Sequence, residues 1–308
     1  MFERIIHIGY MKTATTYLQS VVFSDETTGF GVPGGELGRA SIADAIILND
    51  GFSFDVPAVR KSLQSMEEVV SARGLLPIWS EETLTGNPNT GRYDAHSNAV
   101  KLKETFPKSK ILVTIREQKA LARSLYAECL HQGGTIRCLG YFGSGNEPLS
   151  MPALLRLDFL KYDKLLQHYI NNFGAENVLV LPQEMLRKSP SEYFNRLTAF
   201  TGTEPIEHIN KINVHGSLSA RGLYVARLLN QLFAPDPRHF GGNPRHRFVF
   251  DRILRRLDRV IPKAIDFGAE RTLSRFIEDR YSGEFSASNA NLAELTGLDL
   301  AALGYECA

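Results

Sequence analysis

Short apolar runs alternate with amphipathic stretches along the first two thirds of the chain. Arg4–Ile8 reads as a buried strand, followed by a helix from about Thr15 to Phe23. Residues 29–51 are Gly-rich and read as loop, with a short helical piece around Ser41–Leu48. Val56–Ala72 carries apolar residues at helical spacing (Val59, Leu63, Met66, Val69, Val70), and Gly74 ends it. Leu75–Trp79 is a second strand, leading into Ser80-Glu81-Glu82, and Asp94–Phe106 is a helix. Lys110–Ile115 is β-branched and apolar on both faces, the pattern of a strand covered on both sides. A helix follows from about Lys119 to His131, then a Gly/Ser/Asn-rich loop or lid over 133–150. Asp158–Phe173 is amphipathic and Asn177–Leu181 is a further strand. Ser189-Pro190-Ser191-Glu192 opens a helix with a serine cap, a first-turn proline and a capping-box glutamate. The last third reads as helical: Ala220–Phe233, Arg252–Ile261, Asp266–Glu278 and Asn289–Leu295.

Strands alternating with helices predict a three-layer α/β fold with a mostly parallel central sheet, helices on both faces and a helical C-terminal third. We expect one domain over 1–308, with a nucleotide-binding core over 1–205 and a helical extension over 206–308 packed on it. Ligands of such sheets bind at the carboxyl ends of the strands. The loop carrying Lys12, the Ser80-Glu81-Glu82 turn and Arg116 all fall at such ends, so they are expected to converge.

The first of these carries the strongest chemistry. Gly9-Tyr10-Met11-Lys12-Thr13-Ala14-Thr15-Thr16-Tyr17-Leu18 joins a strand to a helix that opens on hydroxyl residues. A helix N-terminus offers unpaired N–H groups and the positive end of the macrodipole, and Lys12 adds a full charge. The loop is no Walker A motif: Lys12 follows Gly9 by three residues, and Ala14 stands five beyond Gly9. The choice is between a phosphate cradle of another kind and a plain strand–turn–helix with an incidental lysine.

Composition narrows the class further. The chain has 308 residues, 43% hydrophobic and 22% charged, with a formal net charge of +1, so nothing global draws it to nucleic acid or membrane. Cys129, Cys138 and Cys307 fit neither a disulfide framework nor a zinc site, which suits a reducing, cytoplasmic location. No apolar run is long enough to span a membrane, and with the first strand beginning at Arg4 no signal peptide is expected. No His/Asp/Glu cluster has metal-ligand spacing. Arg238, Arg245, Arg247, Arg252, Arg255, Arg256 and Arg259 form a basic stretch. It reads either as a solvated helix face or as a landing surface for an anionic or lipid-linked acceptor at a membrane periphery.

Two motifs together resemble those of the sulfotransferases that use 3′-phosphoadenosine 5′-phosphosulfate (PAPS). The family's strand and Gly-x-x-Lys-[Ser/Thr]-Gly-Thr-Thr-x-Leu loop is matched by Gly9–Leu18, and its strand-end arginine with serine eight residues on by Arg116 and Ser124. Phe173–Glu184, Ser286–Leu295 and Leu303-Gly304-Tyr305 are similar to the bacterial branch. The resemblance implies a P-loop-like sulfotransferase fold with PAPS as donor and no metal. It implies a 5′-phosphosulfate held by Lys12, Thr13, Ala14, Thr15, Thr16 and Tyr17, and a 3′-phosphate held by Arg116 and Ser124. It implies Glu82 as the base that takes the acceptor's hydroxyl proton, with Glu81, His96 and His131 as alternatives. Glu81-Glu82 has also the plain reading of acidic residues at a helix start. The acceptor it favours is a carbohydrate or glycoconjugate, and the basic stretch suits an anionic glycan and a lipid-linked one equally. Three departures stand out: Ala14 replaces the usual glycine, Glu117-Gln118 replaces residue-Pro, and the Arg-Lys-Gly segment that supplies a third 3′-phosphate grip is missing, with Lys211-Ile212-Asn213 and Arg221 as weak substitutes. The competing classes are a nucleotide-dependent kinase or phosphotransferase, requiring Mg²⁺, and a non-catalytic nucleotide-binding protein.

Overall fold

A computed structural model describes residues 3–148, 150–206, 218–233 and 263–307. Five strands form one sheet in the order β2-β3-β1-β4-β5: β1 Arg4–His7, β2 Phe30–Gly31, β3 Leu76–Ser80, β4 Ser109–Ile115 and β5 Val178–Pro182. Every pairing is parallel, with Ile6 opposite Trp79 on one side and Ile111 on the other. Neighbouring residues on a strand point to opposite faces, and Ile5 and Ile6 are both fully buried. Both faces of the sheet are therefore covered, as the apolar runs predict. β2 is the exception: two residues inside a Gly-rich stretch give no period to read.

Most of the helices fall close to their predicted positions, whereas the short ones over 138–142, 183–188 and 300–303 are not predicted. The helices are α1 Thr15–Tyr17, α2 Gly38–Ile42, α3 Val56–Ser71, α4 Ala95–Thr105, α5 Gln118–His131, α6 Cys138–Phe142, α7 Tyr162–Phe173, α8 Gln183–Lys188, α9 Pro190–Thr201, α10 Ala220–Phe233, α11 Lys263–Tyr281, α12 Ser286–Thr296 and α13 Leu300–Leu303. α1 passes directly into a π-type turn over Leu18–Val22, and α2 into another over Ala43–Ile47. The 133–150 loop contains α6, whose Tyr141 and Phe142 are fully buried, so part of it is core rather than lid. Asp158–Phe173 is not one helix: a 3₁₀ turn over Leu157–Leu160 precedes α7, with Lys161 between them. The predicted capping box on α9 does not form. Ser189 makes no side-chain cap, although Pro190 does occupy the first turn, and Glu192 pairs instead with Arg196. The Arg238–Arg259 stretch, the Arg252–Ile261 helix and Lys211–Asn213 lie outside the described residues.

β1 is flanked by β3 on one side and β4 on the other, so the chain reverses its direction of winding there. That crevice is where parallel sheets of this kind take ligands. Along the carboxyl edge the order is Glu81-Glu82 after β3, the lysine loop after β1, Arg116 after β4 and α8 after β5.

Candidate functional site

The loop after β1 is anchored from below by a chain of buried polar groups. His7 Nδ1 meets Ser80 Oγ at 2.7 Å and His7 Nε2 meets Thr114 Oγ1 at 3.1 Å. Thr114 Oγ1 lies 2.7 Å from Thr13 Oγ1, which donates back to the Tyr10 carbonyl. Three adjacent strands are thus tied to the loop through side chains. Gly9 is required at this crossing: a Cβ there would stand 1.8 Å from Thr114 Oγ1 and 2.6 Å from His7 Nε2. His7 is fully buried, and burial, aided by the Arg39 charge, lowers its pKa to about 3, so it is a neutral strut. Below the loop Tyr10 packs edge-on against Phe159 and Tyr162.

The loop itself turns through two left-handed residues, Lys12 (φ 66°) and Ala14 (φ 67°). Ala14 stands at the start of α1, which has no side-chain cap. Its first N–H groups are therefore not taken up by a side-chain cap. Thr13 and Thr15 are buried, Thr16 is exposed and Ala14 and Tyr17 are half-buried. Thr13 is thus committed to the scaffold rather than to a ligand through its hydroxyl.

The Lys12 ammonium meets a group that sequence reasoning missed: Glu128 Oε2, at 3.4 Å, on α5. Burial on its own raises the Glu128 carboxyl, but the Lys12 charge, the Gln132 amide and His131 more than offset it and hold its pKa below the ordinary value. Glu128 stands four residues after Ser124, one helical turn on, a spacing that was open to inspection.

Arg116 comes to the other side of the loop. Its Nη1 donates to the Lys12 carbonyl at 3.4 Å, and its own carbonyl accepts from Tyr162 Oη at 2.6 Å. Burial lowers its pKa, and the Arg187 charge lowers it further, against Glu184, Tyr162 and Glu117, which raise it. Glu117, the departure from the family's proline, caps α5: its carboxylate accepts from the N–H groups of Lys119 and Ala120 at 2.9 and 2.7 Å. Ser124 is half-buried on the same helix.

On the β3 side the two glutamates have different duties. Glu81 spends both oxygens: Oε1 accepts from Thr83 N–H and Oγ1, and Oε2 from Arg39 Nε at 3.1 Å. The plain reading of an acidic helix start therefore holds for Glu81, which caps a 3₁₀ turn over Glu82–Thr85. Glu82 Oε2 accepts from Arg39 Nη2 at 2.8 Å and Gln19 Nε2 at 3.1 Å, while its Oε1 has no hydrogen bond among the described residues. Gln19 also donates to Ser80 Oγ at 3.0 Å, which links Glu82 to the buried His7 chain. Of the alternative bases, His96 is stacked on His168 at 4.3 Å between ring centroids. His131 ends α5 beside Glu128.

No family model matches the sequence, and no curated protein does. Among solved structures, the chain is similar to a sulfotransferase from Alicyclobacillus acidocaldarius, at 15% identity and a TM-score of 0.46, over 78% of this chain and 99% of that one. It is also similar to the sulfotransferase domain from the curacin biosynthetic pathway, at 13% identity and a TM-score of 0.41, over 67% of this chain and 76% of that one. Both likenesses are distant.

Among the described residues no three His, Cys, Asp or Glu side chains gather as a metal site would, and no helix is long and apolar enough to cross a membrane. The three cysteines are free thiols, with Cys129 buried.

Proposed function

We propose that the protein is a sulfotransferase that moves the sulfuryl group of PAPS to a hydroxyl of a carbohydrate or glycoconjugate, in the cytoplasm. The observation that carries this reading is the contact between Arg116 and the Lys12 carbonyl. It joins an anion-binding loop to a strand-end guanidinium distant in sequence, as a donor with phosphate on both the 5′ and 3′ positions requires. An ordinary nucleoside triphosphate has no group for the second of these.

The chemistry is an in-line displacement. The acceptor oxygen attacks sulfur, and the bond from sulfur to the bridging oxygen of the 5′-phosphate breaks. Its electron pair stays on that oxygen, which leaves in the product nucleotide 3′-phosphoadenosine 5′-phosphate (PAP). Lys12 and the first N–H groups of α1 bind the 5′-phosphosulfate and offset the charge developing on the leaving oxygen. Thr15 and Thr16 flank the same group, while Arg116 and Ser124 hold the 3′-phosphate, for which the guanidinium fork is suited. Glu82 takes the acceptor proton on its uncommitted Oε1, with Gln19 and Arg39 fixing the carboxylate through Oε2.

A thermal-shift titration tests the donor. PAP at about a hundred times its Kd adds roughly 2.7 kcal/mol of stability. The expected result is a large rise in Tm with PAP that Arg116→Ala removes. A rise only with ATP and Mg²⁺ overturns the reading in favour of phosphotransfer, and PAP binding without turnover of any acceptor leaves a binding protein. Glu82→Gln is expected to keep PAP affinity and lose about a hundredfold or more in kcat.

A further inference from the structure

Two guanidinium groups lie on the same side of the loop, and among the described residues neither makes an ion pair. Arg116 donates to the Lys12 carbonyl from β4. Gln183, the first residue of α8, reaches that carbonyl from β5: with its amide turned to satisfy both neighbours, Nε2 donates to it at 3.2 Å and Oε1 accepts from Arg187 Nη2 at 3.2 Å. Gln183 and Arg187 are four residues apart on α8 and so share one face. Arg187 is thereby held one side chain away from Arg116, and after burial its charge is the strongest influence lowering the Arg116 pKa.

Several arginines elsewhere in the described chain pair with carboxylates, Arg4 with Glu67, Arg39 with Glu82 and Arg92 with Asp94, while Arg60 is met by the backbone carbonyls of Glu104 and Thr105. The acid that acts most strongly on Arg116, Glu184, is committed elsewhere. Its Oε1 accepts from Glu117 N–H at 3.1 Å and its Oε2 from Tyr305 Oη at 3.0 Å. Two like charges held together are mutually destabilising until an anion bridges them. We infer that Arg187 joins Arg116 in a two-guanidinium clamp on the 3′-phosphate of the donor, replacing from α8 the third grip that this sequence lacks elsewhere. The inference rests on the sulfotransferase reading. A phosphate monoester presents three terminal oxygens, enough for Arg116, Ser124 and Arg187 together. Arg187 is exposed in the free protein, so it closes on the ligand from the outer side of the site.

Calorimetric titration of PAP and of AMP, which lacks the 3′-phosphate, separates the possibilities. Wild type is expected to prefer PAP strongly. Arg187→Ala is expected to weaken PAP about 10–100-fold, as losing one charged hydrogen-bonding group does, and to leave AMP unchanged. Arg187→Lys is expected to restore part of the loss. If Arg187→Ala keeps full PAP affinity, or loses PAP and AMP equally, the clamp is wrong. If Arg116→Ala alone abolishes the preference, the sulfotransferase reading survives without Arg187. If wild type shows no preference for PAP over AMP, the reading itself fails, and the clamp with it.

Discussion

Ala14 has φ 67° at the position where the resembling family has glycine. An L-residue in the left-handed region costs roughly 1–2 kcal/mol, and glycine gives back part of the gain as unfolded-state entropy. Ala14→Gly is expected to raise stability by about 0.5–1 kcal/mol, seen as a higher urea midpoint at constant m-value. A lower midpoint would mean that the Ala14 methyl packs better than its backbone suffers. Lys12 and Glu128 allow a second test. A pair this exposed is worth at most about 1 kcal/mol, but the donor must break it. Glu128→Gln is expected to tighten PAP a few-fold, with the gain shrinking at high salt. A loss of affinity would show that the carboxylate orients the lysine instead. The positions of Lys12, Arg116 and Glu82 beyond strand ends were legible in the sequence because each follows a recognisable strand. Arg39 and Gln19 were not, since their partners lie on other elements and only packing brings them together, and Glu128 showed only its helical spacing from Ser124, not its contact with Lys12.

The three inner strands form a pH-sensitive element through His7. Its neutral ring bridges Ser80 and Thr114, and its pKa in the fold is about 3 against an ordinary 6.5. The folded value is the lower one, so the unfolded chain binds the proton first. The stability that this group supports is complete above pH 6.5 and is lost as pH falls from 6.5 toward 3, at up to about 1.4 kcal/mol per unit. Urea midpoints of wild type are expected to fall steadily between pH 6.5 and 4, and those of His7→Gln to fall less steeply, whatever their absolute level. Equal slopes in the two proteins would place the acid sensitivity elsewhere. The strands carrying this network were readable because apolar runs covered on both faces leave a strong signal. β2 and α6 were hidden in Gly-rich segments, where tertiary packing of Phe30, Tyr141 and Phe142 supplies what local pattern does not. The inward-facing histidine of β1 looked like part of an ordinary strand, because one polar residue in an apolar run shows nothing of its partners.

The chain's end returns to the site that its beginning builds. Asn289 on α12 is fully buried; it accepts from Gln118 Nε2 at 2.5 Å and donates to the Glu306 carbonyl at 2.8 Å. Glu306 pairs with Lys119 at 2.8 Å, and Tyr305 donates to Glu184, which receives the Glu117 N–H. Gln118, Lys119 and Glu117 form the start of α5, immediately after Arg116. The C-terminal tail therefore fixes the segment that carries the strand-end arginine, although it supplies no ligand group of its own to it. Two substitutions separate support from mere folding. Asn289→Ala leaves Gln118 buried without its partner and is expected to cost about 2–3 kcal/mol of stability. Tyr305→Phe removes a single hydroxyl and keeps the packing of the ring. It frees one oxygen of Glu184, Oε2, so the milder variant is expected to cost about 1 kcal/mol of stability and to weaken PAP several-fold while AMP affinity holds. If Tyr305→Phe loses stability but binds PAP as wild type does, the tail supports the fold alone, and Arg116 keeps its place through the Tyr162 hydroxyl and the Lys12 carbonyl.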